Sequence, residues 1–163
     1  DRPEIAAEEL PADAYRDDVA ANLAVAERWV TEHSDTEFDF FLPPYSILFW
    51  DKVIREGRTE AVFAAIRQAG QTLLQYDNVK FYGHLMDPEI VTNLDNYCDY
   101  IHHSGGVCRE ILAMLQREEG RLTEENLEET LANWREFVVH YDYDQFWDER
   151  FWIQWNAEHA AAP

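Results

Sequence analysis

The sequence predicts an α/β fold: a short parallel sheet with covering helices and a helical C-terminus. Three observations lead there. Apolar residues recur at helical spacing over 15–33 and again over about 60–76. Each stretch is followed by a short aromatic or β-branched run, 38–42 and then 79–85. Two more amphipathic stretches fill 106–118 and about 124–140. Helix, strand, helix, strand is the rhythm of parallel strands whose connections pack back on the sheet.

Residues 1–14, polar and acidic with Pro3 and Pro11, read as a loose lead-in. Val19, Leu23, Ala26 and Val30 then mark one face of a helix, which His33-Ser34-Asp35-Thr36 ends. Phe38 to Leu42 is a buried strand that leaves into a loop at Pro43-Pro44. Ile47 to Arg55 is a short helix closed by Gly57. Thr59 is the expected N-cap of the next helix, with Val62, Phe63, Ile66, Ala69 and Leu73 as its apolar stripe. Asp77-Asn78 turns the chain into the second strand, 79–85. Residues 86–104 are irregular and polar, Ser104 caps the helix over 106–118, and Thr123 caps the last. From Tyr141 the tail is dense in aromatics: Tyr143, Phe146, Trp147, Phe151, Trp152 and Trp155. It is expected to pack back on the body or on a surface the chain leaves open.

The chain has 163 residues, enough for one domain over 1–163. A hydrophobic fraction of 47% and an aromatic fraction of 14% supply a real core. Thirteen Lys and Arg stand against 33 Asp and Glu, a formal net charge of -20. With no basic stripe to neutralise phosphates, nucleic acid is excluded as a partner. The acidity reads as a solvated surface, or more sharply as a mimic of nucleic acid or a face for a basic protein. No apolar run of about 18 residues exists to span a membrane. The chain starts at Asp1 rather than Met, which leads us to expect a processed or truncated product whose leader or anchor is unseen. Cys98 and Cys108 are expected to be unpaired thiols, and there is no CxxC or zinc spacing.

The stretch with chemistry runs from Asn93 to Ser104. Asp99 and His102 are three apart, so one turn can bring them together. The carboxylate then accepts the imidazole Nδ1–H, fixes the tautomer and leaves Nε2 as a base. His103 offers a competing spacing. Asp95, Asp99, His102 and His103 could together hold a cation, although adjacent histidines point apart in most backbones, so no metal or cofactor is assigned.

Asp99 and His102 after the last strand and before a helix resemble the C-terminal block of SGNH/GDSL-type serine hydrolases. Phe40 to Asp51 is similar to the F-x-P-Y-S-I-L-x-W-D segment of a bacterial branch of that family, and Thr92 to His102 to its T-N-L-D-N-Y-x-D-x-x-H block. Arg121 to Asn126 resembles the helix entry that follows. The resemblance covers roughly 15–145, with 1–14 and 146–163 as flanks. It implies a partial three-layer SGNH-like fold and an esterase or acyltransferase acting on O-acyl or D-alanyl esters of cell-surface polymers. Asp99 would orient the base and His102 would be the base. The nucleophilic serine and the oxyanion-hole residues of the family have no match here: Ser34, Ser46 and Ser104 all lack the elbow context. The chain is therefore expected to be inactive alone, and to dimerise or need a missing N-terminal half to cover an open sheet. Absent a nucleophile, the rival is a non-catalytic acidic protein-binding domain.

Tyr45, Trp50 and His103 are the substrate-facing candidates. Tyr45, Phe49 and Trp50 could line a pocket beyond the first strand, or simply pack the strand-to-helix corner. His84 at a strand end reads as structural, and His140 and His159 as solvated. Glu124, Glu125, Glu128 and Glu129 read as the N-terminal face of a helix.

Overall fold

The predicted periodicities fold into helices close to their expected limits. In the computed structural model, which describes residues 2–148 and residue 153, the chain forms α1 (Arg16–Glu32), β1 (Phe38–Phe41), α2 (Ile47–Arg55), α3 (Thr59–Leu73), β2 (Val79–Tyr82), α4 (Pro88–Val91), α5 (Gly105–Gln116), β3 (Arg121–Leu122) and α6 (Leu127–Val139). Short 3-10 turns cover His84–Met86, Leu94–Asn96 and Asp144–Trp147. Among the described residues this is a mixed α/β architecture of six helices and a three-stranded sheet. Phe151, Trp152, Trp155 and His159 lie outside the described residues.

The sheet order is β1-β2-β3. β1 and β2 are parallel, Phe38 opposite Val79 and Phe40 opposite Phe81. β3 is antiparallel to β2, with Leu122 opposite Phe81 and Arg121 opposite Tyr82. The sheet is thus mixed and not wholly parallel, and residues 121–122, which precede the expected Thr123 cap, are a strand. The helix begins later because Thr123 and Asn126 close a turn on each other first. Thr123 N–H donates to Asn126 Oδ1 at 2.8 Å, and Asn126 N–H to Thr123 Oγ1 at 3.3 Å.

α3 is the central helix, packed on β2, α1, α2 and α6. Its Gly70 lets α6 approach: a Cβ there would lie 2.8 Å from Leu127. The core joins Ile47, Trp50 and Val53 of α2, Phe63, Ile66 and Leu73 of α3, Val79 and Phe81 of β2, and Leu131, Trp134 and Val138 of α6. Trp50 sits against Phe63 at 5.2 Å between ring centroids and against Trp134 at 6.0 Å. In the tail, Tyr143 and Phe146 are buried in this core, while Trp147 stays half-exposed.

The lead-in is not loose. Arg2 grips the buried Asp51 carboxylate through Nε and Nη2, both at 2.9 Å, and reaches Asp144 through Nη1 at 2.7 Å. Ala6 N–H donates to Arg55 carbonyl oxygen, Leu10 N–H to that of Gly57, and Arg55 Nε to that of Pro3. Gly57 makes the approach possible. Its φ is +65°, and a Cβ would meet Glu8 carbonyl oxygen at 2.6 Å. Among the described residues no helix is long and apolar enough to cross a membrane.

Candidate functional site

The two segments singled out in the sequence, 40–51 and 92–104, meet in space. α4 and the 3-10 turn at Leu94–Asn96 bring the chain off β2, Asn93 and Asp87 capping them by side chain. The next residues dock on the strand-to-helix corner after β1. Tyr97 Oη–H donates to Pro44 carbonyl oxygen at 2.8 Å, and burial pushes this phenol well above its ordinary range. Tyr100 carbonyl oxygen accepts from both Ser46 N–H and Ser46 Oγ–H, each at 3.0 Å. Lys52 Nζ lies 4.7 Å from the Tyr100 ring centroid, over its face.

Between those anchors Asp99 folds the turn. Its Oδ1 accepts from Ile101 N–H at 2.8 Å and His102 N–H at 2.7 Å, and its Oδ2 lies 2.7 Å from His102 Nδ1. Tyr97 and His103 then form an isolated antiparallel bridge that closes the loop. The backbone N–H of His102, then that of Ile101, then the imidazole hold the Asp99 carboxyl at about 2, against an ordinary 3.8. A carboxyl depressed in this way stabilises the turn at any pH above its ordinary range. The contribution is lost as pH falls from about 4 through about 2. We expect the Asp99 side-chain carbon to titrate near 2 by NMR, with the Ile101 and His102 amide signals moving in step. A midpoint near 3.8 would show that the turn does not hold in solution.

Among the described residues no hydroxyl is hydrogen-bonded to this imidazole. Ser46 Oγ is spent on Tyr100, and Ser104 Oγ accepts from Val107 N–H at the start of α5. Ser34 lies in the turn after α1. The His102 side chain is 73% exposed and that of Asp99 46%, so the pair faces bulk water and not a closed cleft. Trp50 is fully buried in the core, and Tyr45 packs on Phe49 at 5.0 Å, which is the corner-packing role. His103 Nδ1 is 3.6 Å from Cys108 Sγ, and both cysteines are free and exposed. Among the described residues no group of His, Cys, Asp and Glu could hold a metal ion.

Sequence reasoning assigned His84 no role beyond structure. It is 1% exposed, lies on Tyr82 at 5.8 Å, and neither ring nitrogen has a hydrogen-bond partner among the described residues. Burial lowers its pKa. A lone histidine at a strand end carries no signal of that isolation.

No known protein family's profile matches the chain, and no solved structure matches it. Two curated proteins do, from Lacticaseibacillus casei strain BL23 and from Lacticaseibacillus paracasei strain ATCC 334. Each is named a UPF0735 ACT domain-containing protein, and each is 24% identical over 90 residues. The match spans 55% of this chain and 62% of each relative's length. These findings overturn the resemblance to SGNH/GDSL hydrolases, and with it the esterase or acyltransferase activity: the relatives found carry an ACT domain in their name and no hydrolase. Neither an ester substrate nor a dimer finds support in them.

Proposed function

We propose that this chain is a non-catalytic, acidic binding domain whose partner presents a basic protein surface. The observation that supports this reading best is the exposure of Asp99 and His102 with no serine hydroxyl bonded to the imidazole. A base in water with no nucleophile lacks the preorganised site that hydrolysis needs. In this reading the two residues lock the turn that presents Tyr100, a positioning role, and Tyr45, Trp50 and His103 support the corner on which it rests. The name of the two relatives, which places an ACT domain in each, is in keeping with a domain that binds and does not turn over an ester. The net charge of -20 supplies the attraction, which steers a cationic partner and weakens with salt.

The test is fluorescence anisotropy with a labelled lysine-rich peptide at low and physiological salt, with NMR mapping of the contact. Saturable, salt-sensitive binding that shifts amides of residues 95–109 is expected. Binding spread evenly over the acidic surface, or hydrolysis of p-nitrophenyl acetate that His102→Ala abolishes, would sink the reading.

A further inference from the structure

Leu23 and Val30 seat α1 on α3. Ala21, Val25 and Trp29, four residues apart, therefore share the face that turns away from the body. Val25 is 42% exposed and Trp29 50%, in a chain of net charge -20. Arg28 stands beside them and is exposed. The chain carries 33 acids to 13 bases, yet Arg28 has neither an ion pair nor a hydrogen bond among the described residues. Asp18, in the first turn on the same face, likewise has no partner for its carboxylate among the described residues. Tryptophan and arginine are among the side chains most enriched where proteins meet.

Opposite charges thus flank one apolar stripe. Asp18 and Arg28 are ten residues, about 15 Å, apart along the helix, too far to meet each other. We infer that this face binds a second copy of the chain, α1 against α1 in antiparallel order. In that register each Arg28 meets the partner's Asp18, each Val25 meets the partner's Ala21, and Trp29 closes the end of the apolar contact. The surface is self-complementary, as a two-fold interface requires. A parallel pair would set Asp18 on Asp18 and Arg28 on Arg28, and a basic partner would meet Arg28 with like charge. One helix face per copy is less than a tight dimer buries, so association falls at about 10–100 µM.

Sedimentation velocity at about 0.15 M salt, where repulsion between the two acidic bodies is screened beyond about 8 Å, reads the association. The parent should pass from monomer to dimer between about 10 µM and about 1 mM. Arg28→Asp and Asp18→Arg should each weaken the dimer at least about tenfold, because each sets like charges together twice. Mixed in equal amounts, these two variants should pair with each other as well as the parent does with itself, since both contacts then join opposite charges. Trp29→Ser should weaken association about tenfold. All three changes lie on exposed positions, and circular dichroism checks that each variant stays folded. The inference is overturned if the parent is still a monomer at about 1 mM, if Arg28→Asp and Trp29→Ser dimerise as the parent does, or if the mixed variants stay apart.

Discussion

Trp50→Ala should unfold this protein some 10 °C or more below the parent, a loss of about 3–5 kcal/mol. The residue is fully buried and its ring meets Phe49, Phe63 and Trp134, so it ties α2 to both α3 and α6. Truncation opens a cavity where three helices meet, and the backbone cannot collapse into it without moving all three. Trp50→Phe separates packing from polarity. The indole Nε1 is buried without a hydrogen-bond partner among the described residues. Phenylalanine removes that donor and keeps most of the contact, so its cost should be about 1–2 kcal/mol. Urea unfolding followed by circular dichroism measures both. A loss below about 1 kcal/mol for the alanine variant would mean that the three helices do not converge on this ring.

The second large effect lies at the opposite extreme of hydropathy. Arg2→Ala leaves the Asp51 carboxylate, 5% exposed, without the guanidinium that grips it at two points. Breaking a buried pair by removing one partner costs about 3–5 kcal/mol. Because the Arg2 side chain keeps 19% of its exposure, we expect about 2–3 kcal/mol. Asp51→Asn in the same chain should restore much of the loss, since no bare charge then remains. A double-mutant cycle on the unfolding free energy checks this, and strict additivity of the two changes would show that the pair does not couple.

Neither residue announced its role. Asp51 stands in a helix of nine residues where a lone carboxylate reads as solvated, and Arg2 lies in a stretch whose prolines and acids read as loose chain. What the sequence could not display is a contact between positions 49 residues apart. By contrast, α1, α3 and α5 were legible because Val30, Ile66 and Ile111 repeat with their neighbours at helical spacing, and burial follows that spacing directly. The Ser104 cap was legible for the same local reason. β3 was not, because Arg121–Leu122 is too short to show alternation, and its pairing is dictated by β2. A three-residue spacing allows Asp99 and His102 to meet in one turn, and in the structure they do. Its chemistry was misjudged, because spacing says that two side chains can touch and nothing about what stands on the far side of the imidazole.

The docking of the 97–104 loop on the corner after β1 has a consequence for the order of folding. The bond from Ser46 Oγ to the Tyr100 carbonyl closes a loop of 54 residues, and the bond from Tyr97 Oη to Pro44 one of 53. The chain between them holds α2, α3 and β2. Contacts that distant in sequence are won only after the entropy of loop closure has been met, which the intervening helices and the β1–β2 pairing do first. The loop therefore seals a nearly finished molecule. Substitutions in it act on the rate at which the native state opens, and leave the rate at which it forms almost unchanged.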